Sequence, residues 1–460
     1  MTELRLDQIN RMTGGTLDKG DPSLSFHKFN IDSRLTQPGE LFFALMGDRN
    51  GHDFIAAAAA RGAAGAVISQ KIKPPHSRFA LVRVKNTLTA LQELARKTLI
   101  EQRLRVIAIT GSAGKTTTKE FTASLLSKRF RILKSKSNFN NHIGLPLSLL
   151  EMSPDHDIAV LEMGMSAPGE IEALTRIAPP DIAMITNVLP VHLEFFDSIE
   201  HIARAKKEIL TGMKPEGIAI LNGDNLLLRK ISQEFRGKTV FFGRGEACRI
   251  RARDVRQSGL RALSFELIYG SERRQIKLPF YTESNLYNYL AAVAVAYVSG
   301  IPLSDIPALT TELKPFSQRG EILRLKSNII VVDDSYNSNP AALESALISL
   351  PKPTAGRKVA VLGDMLELGS QAIEYHTRAG KQVAACGFDL LITVGPLSRH
   401  IADAALKAGM KPEQIHMYKD GDEAARKIWL HIERGDLILV KGSHGIKTDK
   451  VVTQLKSRGN

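Results

Sequence analysis

The chain has 460 residues, of which 43% are hydrophobic and 24% are charged, an ordinary balance for a globular protein. Its formal net charge of +14 is scattered along the whole length, without a basic stripe interleaved with aromatic residues. That pattern argues against nucleic acid as a partner and favours acidic small substrates. The two cysteines, Cys248 and Cys386, have no metal-binding or disulfide spacing, which suits a reducing cytoplasm.

The chain shows no targeting or membrane signal that would place it elsewhere. Its first 15 residues include acidic side chains and lack an apolar core, so we predict no signal peptide. Residues 54–68 form the most apolar early stretch, but this stretch is too short and too weakly hydrophobic to span a bilayer. We therefore expect a cytoplasmic protein that is not embedded in a membrane.

Three zones follow one another along the chain. Residues 1–100 contain short predicted strands at 41–45 and 66–68 on either side of an alanine-rich helix, which indicates a small N-terminal α/β module. Residues 101–314 alternate strands and helices, which predicts a central, mostly parallel sheet with helices on both faces. The predicted strands of this zone are 106–110, 158–163, 182–187 and 218–222.

The third zone, residues 315–460, begins after Lys314 and Pro315. Its short apolar runs are separated by helical stretches, which is typical of a doubly wound, Rossmann-like sheet. The predicted strands are 329–333, 358–362, 391–394 and 437–440. The sequence thus predicts an α/β protein of three domains.

The most informative stretch is VIAITGSAGKTTTKE, at residues 106–120. A β-branched strand leads into a glycine loop, and helix-forming residues follow. In such a loop, backbone N–H groups and a helix N-terminus converge on an anion, so the stretch predicts a P-loop that binds nucleotide phosphates. Its candidate residues are Gly111, Ser112, Ala113, Gly114, Lys115, Thr116 and Thr117. Lys115 would contact the β- and γ-phosphates, and the Thr116 hydroxyl would bind Mg²⁺.

Polar residues stand at or beyond the ends of several predicted strands, where ligands bind in open α/β sheets. Glu162 ends one strand, and Asn187 ends another, with His192 five residues later. Asp333 and Asp334 end a strand of the third zone. Glu162 and His192 are suitable ligands for a Mg²⁺ that bridges phosphates. Each residue alone is equally well explained as a helix cap or a surface side chain.

Two further segments favour structural explanations when they are taken alone. The asparagine-rich loop with Asn138, Asn140 and Asn141 is typical of a turn. Residues 203–209, which contain Lys206 and Lys207, form an amphipathic helix, and a solvated face is the default prediction for both lysines.

Taken in order, several stretches of the chain resemble the Mur ligase family, the ATP-dependent amide-forming enzymes of bacterial cell-wall assembly. They are TGSAGKTTTKE, NFNNHIGLP, LEMGMSAPGEIE, ITNVLPVHLEFFDS with AKKEI, NLYNYLAA, and QRGEILRL leading to DDSYNSNPAAL. Residues 162–165, 333–340 and 361–369, with His376, are most similar to the branch that joins D-alanyl-D-alanine to UDP-N-acetylmuramoyl-tripeptide. The DNPR-type stretch expected in the sister branch that adds diaminopimelate or lysine is missing.

The resemblance implies a role for each matching position. A uridine-nucleotide pocket in the first zone would comprise Ser33, Arg34, Gly51 and His52. ATP would be bound by the P-loop residues together with Asn285, Arg319 and Asp334. Mg²⁺ would be bound by Thr116, Glu162, His192 and Lys206, the last as a carbamate. The remaining substrate contacts would come from Asn140, Asn141, Tyr336, Asn337 and Asn339. The implied catalytic residues are Lys115, Glu162, His192 and Lys206.

The resemblance also implies ATP and Mg²⁺ as cofactors, the tripeptide nucleotide and the dipeptide as partners, and a monomer. Two other interpretations stay open at this point. One is another amide ligase of the same superfamily, either a muramoyl-dipeptide amino-acid ligase or a folylpolyglutamate synthase. The other belongs to a different class: a P-loop nucleotide-binding switch or a nucleic-acid-binding NTPase.

Overall fold

The computed structural model describes residues 2–136, 139–191, 193–353 and 356–459. Its N-terminal part holds a five-stranded sheet, ordered β2-β7-β6-β5-β4, in which only the β2–β7 pairing is antiparallel, and a separate antiparallel pair, β1–β3. The elements in chain order are β1 (Leu4–Arg5), α1 (Leu6–Thr13), β2 (Thr16–Lys19), β3 (Ser25–Phe26), β4 (Phe29–Asn30), β5 (Leu41–Phe43), α2 (Ile55–Ala60), β6 (Gly65–Ile68), β7 (Ala80–Arg83) and α3 (Thr87–Gln102).

The central part is built on a nine-stranded sheet, ordered β16-β15-β14-β13-β12-β11-β8-β10-β9. All pairings from β9 to β14 are parallel, and β15 and β16 extend the sheet as antiparallel strands. The elements are β8 (Arg105–Thr110), α4 (Lys115–Leu126), β9 (Ile132–Lys134), α5 (Gly144–Leu149), β10 (Ile158–Glu162), α6 (Glu170–Ile177), β11 (Ile182–Ile185), α7 (Ile199–Thr211), β12 (Ile218–Asn222), α8 (Leu226–Glu234), β13 (Lys238–Gly243), β14 (Ile250–Ser258), β15 (Ala262–Tyr269), β16 (Glu272–Leu278), α9 (Glu283–Val298) and α10 (Ile306–Thr311).

The C-terminal part holds a six-stranded sheet, ordered β17-β18-β22-β19-β20-β21, which is parallel except for the edge strand β17. The elements are β17 (Glu321–Arg324), β18 (Ile330–Asp334), α11 (Pro340–Ser349), β19 (Lys358–Gly363), α12 (Ala372–Ala385), β20 (Leu390–Val394), α13 (Arg399–Lys407), β21 (Ile415–Tyr418), α14 (Gly421–Lys427), β22 (Leu437–Lys441) and α15 (Asp449–Gly459).

Hydrophobic side chains divide between the two faces of each sheet. One continuous cluster joins the N-terminal part to a face of the central sheet, with Leu91 of α3 packed among residues such as Val106 and Ala108 of β8. The opposite face of the central sheet is covered mainly by α4 and α9. The C-terminal sheet has a separate cluster on each face. The N-terminal and central parts therefore share a core, while the C-terminal part has two clusters of its own, one of which also includes Tyr281 of the central part.

The C-terminal part touches the central part at a few places. The β14–β15 hairpin reaches across: Gln257 Nε2 donates to the carbonyl oxygen of Ser349 over 2.8 Å, and Leu260 packs against a C-terminal hydrophobic cluster. Ser284 Oγ also donates to Ser345 Oγ over 2.9 Å. These contacts hold the carboxyl ends of the central and C-terminal strands beside one cavity.

The predicted α/β fold class is confirmed, and most predicted strands differ from the observed ones by one residue at an end. Two predicted strands are too long by two residues: β5 ends at Phe43 rather than at residue 45, and β11 ends at Ile185, so that Asn187 belongs to the following loop. The sequence did not predict the antiparallel strands β14–β16. The domain boundaries at residues 100 and 314 stay predictions, and α3 runs through the first of them. No helix in the described ranges is long and apolar enough to cross a membrane.

Candidate active site

The P-loop lies between β8 and α4, at the carboxyl edge of the central sheet. Gly111 and Gly114 adopt positive φ angles of 149° and 80°, which disfavour other residues. A Cβ atom on Gly111 would lie 1.9 Å from Thr186 Oγ1, and one on Gly114 would lie 2.0 Å from Asn288 Oδ1. Both glycines are therefore required by backbone conformation and by close approach to neighbouring side chains.

Asn187 fixes the shape of this loop. Its carbonyl oxygen accepts from Ser112 N over 3.1 Å, and its Oδ1 accepts from Ala113 N over 2.9 Å. These two N–H groups are consequently occupied. The N–H groups of Lys115, Thr116 and Thr117, in the first turn of α4, have no partner among the described residues. The open donors for an anion are therefore those of the helix N-terminus.

Lys115 folds back over the loop, with Nζ donating to the carbonyl oxygen of Gly111 over 2.8 Å. Burial lowers the pKa of Lys115, the carboxylate of Glu162 opposes that shift, and the guanidinium of Arg319 adds to it. An ammonium in this setting favours a polyanion that can take over its contacts.

Glu162, at the end of β10, gathers donors from two other segments. Thr116 Oγ1 donates to its Oε2 over 2.8 Å, and Asn140 Nδ2 donates to its Oε1 over 2.9 Å. The carboxylate is 3% exposed. A hydroxyl and a carboxylate side by side are hard oxygen ligands that fit Mg²⁺, which usually takes one or two carboxylates together with phosphate oxygens and waters.

The described ranges contain no cluster of three His, Cys, Asp or Glu side chains that could hold a metal alone. His192, the predicted metal-binding partner of Glu162, lies outside the described residues, as does Asn138. The fit to Mg²⁺ therefore rests on Thr116 and Glu162, and the role of His192 stays a prediction.

Lys206 lies in the middle of α7 and is 2% exposed. The prediction of a solvated lysine at this position is wrong. Lys206 shares the buried face of the helix with Ile202 and Ile209, because residues three and four apart lie on one side. Burial, followed by the nearby charge of Lys115, holds the pKa of Lys206 well below its usual value. Lys207, in contrast, pairs with Glu234 on the partly exposed side of α7.

Arg319 crosses from the C-terminal part to the P-loop, where its Nη2 lies 3.2 Å from Thr116 Oγ1. Its guanidinium carbon lies 4.0 Å from the ring centroid of Tyr336, a cation–π contact that orients the side chain. The buried Nε atom of Arg319 has no hydrogen-bond partner among the described residues. An orphan donor at this position is available to a ligand.

Most predicted residues of the central and C-terminal zones line one cavity of about 810 Å³. Its walls include Ser112, Ala113, Gly114, Lys115, Thr116, Thr117, Asn140, Asn141, Glu162, Asn285, Arg319, Asp334, Tyr336, Asn337 and Asn339. Gly111 and Lys206 are not part of the lining. Asn141 Oδ1 accepts from Gly144 N over 2.8 Å, and Asn339 Oδ1 accepts from Ala342 N at the start of α11, so both also stabilise local turns.

The predicted uridine-pocket residues are not part of this cavity. Arg34 forms an ion pair with Asp32 at 2.7 Å, and hydrogen bonds from Arg34 lower the pKa of Asp32 to about 2. His52 Nε2 accepts backbone N–H bonds from Ser69 and Gln70, and burial lowers the pKa of this imidazole. Ser33 is buried, and Gly51 begins the turn that carries His52. The four positions thus belong to the N-terminal part.

The sequence did not single out two residues that shape the cavity, Asn288 and Lys441. Asn288 Oδ1 accepts from Thr118 Oγ1 over 3.3 Å and limits the space at Gly114. Lys441 ends β22 and forms an ion pair with Asp334 at 2.6 Å. Lys441 directly follows the strand predicted at 437–440, and this position at a strand end could have marked it as a candidate site residue.

Comparison with known proteins identifies the family. Residues 25–98 match the Mur ligase family catalytic domain, residues 109–296 the Mur ligase middle domain, and residues 318–444 the Mur ligase glutamate ligase domain. A UDP-N-acetylmuramoyl-tripeptide–D-alanyl-D-alanine ligase of Bacillus subtilis (strain 168) is 36% identical over 458 residues, which are 99% of each chain. The chain belongs to the Mur ligase family.

Solved structures agree with this family membership. This Mur ligase superimposes on MurF from Acinetobacter baumannii with a TM-score of 0.89 and 29% identity, over 100% of both chains. MurF from Thermotoga maritima, in complex with ADP, matches with a TM-score of 0.82 and 30% identity, over 94% of this chain and 97% of that one. The predicted family and three-domain fold class are thereby confirmed.

We expect Lys115→Ala to lower ATP turnover at least about a hundredfold, because losing a charge contact to a transferring phosphoryl group costs roughly 3 kcal/mol. Steady-state ADP release measures this effect. Lys128→Ala is the matched control, since Lys128 is an exposed lysine that pairs with Asp305 at 3.8 Å. A folded Lys115→Ala protein with near-normal turnover would refute the role.

A second expectation separates the two adjacent lysines of α7. Lys206→Ala should abolish turnover and recover part of it with millimolar acetate or formate, which supply the oxygen ligand that a carbamate would provide. Lys207→Ala, which removes the pair with Glu234, should change turnover less than about twofold. Equal behaviour of the two variants would contradict a special function for Lys206.

Proposed function

We propose that this protein is an ATP-dependent ligase that joins D-alanyl-D-alanine to UDP-N-acetylmuramoyl-tripeptide, releasing ADP and phosphate. The product is the UDP-muramoyl-pentapeptide of peptidoglycan synthesis. The supporting observation is the cavity in which the P-loop faces Arg319, Asp334 and Tyr336 of the C-terminal part. Similarity over nearly the full length to a relative that carries this name supports the choice of substrates.

The reaction requires activation of a carboxylate, since direct displacement by an amine would expel oxide. Transfer of the γ-phosphoryl group gives an acyl phosphate, from which phosphate leaves readily. Catalysis of this transfer is mainly positioning and charge neutralisation. In our proposal the N–H groups at the start of α4 hold the phosphates. Lys115 and Arg319 neutralise the transferred group from the two sides of the cavity.

Mg²⁺ would be held by Thr116, Glu162, His192 and a carbamate on Lys206. The metal would supply positive charge that offsets the negative charge of the phosphates. The lowered pKa of Lys206 supports this assignment, because a carbamate forms only from a neutral amine. Asn140 would keep Glu162 oriented through its hydrogen bond to Oε1.

The remaining assignments place the other substrates around this centre. Asn285 would contact the adenine, and Asp334 would reach ATP from the C-terminal part. Asn141, Tyr336, Asn337 and Asn339 would surround the acceptor side, where the dipeptide amine attacks the acyl phosphate. The uridine nucleotide would bind in the N-terminal part, near Ser33, Arg34, Gly51 and His52. We further propose that the enzyme acts as a cytoplasmic monomer without a nucleic-acid partner.

The substrate requirement tests this proposal directly. ADP and phosphate should appear in step with the pentapeptide nucleotide, and only when both the tripeptide nucleotide and D-alanyl-D-alanine are present. Coupled ADP assay and mass spectrometry of the nucleotide product measure the two outputs. A single amino acid accepted in place of the dipeptide would indicate a sister ligase. ATP turnover without any acceptor, or turnover stimulated by DNA or RNA, would indicate a P-loop NTPase.

The positions of Arg319 and Lys115 generate a second expectation, concerning motion. Both are cations beside one cavity, so without a nucleotide their repulsion favours separation of the C-terminal and central parts. An ATP analogue with the tripeptide nucleotide should therefore reduce the radius of gyration in solution scattering. Arg319→Ala should weaken both this compaction and turnover. A scattering profile unchanged at saturation would favour a preassembled site.

A further inference from the structure

Lys441 places a buried ammonium group in the cavity wall on the acceptor side. It ends β22 beside Asp334 of β18, and the residue is 3% exposed. Its Nζ donates to Asp334 Oδ2 over 2.6 Å and to the carbonyl oxygen of Asn337 over 3.0 Å. An ammonium has three N–H donors, and the third has no partner among the described residues. Lys441 therefore has a donor available for a ligand.

Ser338 supplies a second, independent unsatisfied group nearby. Its two chain neighbours, Asn337 and Asn339, line the cavity, whereas Ser338 itself is not part of the lining and is 5% exposed. Its Oγ atom is buried and has no hydrogen-bond partner in the part of the chain that the structure describes. A buried hydroxyl without a partner is unfavourable, and such groups often mark the place of a ligand. Its carbonyl oxygen is 3.5 Å from Ser443 Oγ, which follows Lys441 by two residues.

The charge balance on this side of the cavity is compatible with a bound anion. Lys441 and Asp334 cancel each other, and Arg319 adds one positive charge. Arg319 is directed towards the nucleotide side by its contact with Thr116 Oγ1. Among the cavity-lining residues of the C-terminal part, Lys441 is the other cation. It is therefore the group best placed to meet a carboxylate on the acceptor.

We propose that Lys441 and Ser338 form a carboxylate subsite that binds the terminal carboxylate of the incoming dipeptide. This inference rests on the proposed function. The acceptor carries an amine that must reach the acyl phosphate. At its other end it carries a carboxylate, which loses its hydration when it enters the cavity. Lys441 supplies the cation for that anion and Ser338 a neutral hydrogen bond. Asp334 holds the ammonium in position through the hydrogen bond from Nζ to Oδ2.

A neutral analogue of the acceptor tests the subsite. In wild-type enzyme, kcat/KM for D-alanyl-D-alanine should exceed that for D-alanyl-D-alaninamide, which lacks the negative charge. Lys441→Met should reduce this preference at least about tenfold, the usual range for a hydrogen bond to a charged group. Ser338→Ala should reduce it about threefold to tenfold. The KM for ATP should stay within about threefold in both variants.

Lys450→Met is the matched control, because Lys450 pairs with Asp422 on the surface of the same part of the chain. Its preference for the free acid should equal that of wild type. Two results with Lys441→Met would overturn the subsite: an equal loss of kcat/KM with both acceptors, or a large rise in the KM for ATP. Either result would indicate that Lys441 acts by positioning Asp334. If Lys441→Met does not fold, Ser338→Ala decides, and an unchanged preference in that variant overturns the proposal. Wild-type enzyme that ignores D-alanyl-D-alanine would instead refute the proposed function.

Discussion

The close approach of like charges around the P-loop is the constraint on which the rest of the site depends. Two cations, Lys115 and Arg319, converge there beside the carboxylate of Glu162, and Lys206 lies buried close enough for the charge of Lys115 to lower its pKa. Each cation is contributed by a different helix or loop, and the folded core keeps them from moving apart freely. Such an arrangement is unfavourable while the cavity holds no anion. A polyphosphate in the cavity would bring negative charge between the two cations and relieve their repulsion.

Two neutral asparagine side chains next to these charges support the P-loop. Asn187 holds the N–H groups of Ser112 and Ala113, and Asn288 closes the space beside Gly114. These contacts support the loop without any ligand, and the open N–H donors lie together in the first turn of α4. Preorganised donors need no rearrangement when charge develops during phosphoryl transfer.

Much of the fold could be predicted from local patterns, because the central strands are short, apolar and buried on both faces. The strand at 218–222 was predicted with its observed bounds. The strands β14–β16 were missed because one face of this antiparallel extension carries exposed arginines such as Arg253 and Arg273, which weakens the apolar signal. The burial of Lys206 could not be read from its helix, since an amphipathic pattern does not reveal what packs against each face. The contacts of Asn187 and Asn288 span long distances in sequence, and no spacing rule predicts them.

The continuous core shared by the N-terminal and central parts has a geometric consequence. Leu91 of α3 and Val106 of β8 belong to one hydrophobic cluster, so these two parts are packed together, whereas the C-terminal part has clusters of its own. Under the proposed function, this shared core would set the separation between the uridine end of the substrate and the γ-phosphate of ATP. A peptide arm that matches this separation would bring its carboxylate to the γ-phosphate, and a shorter or longer arm would not.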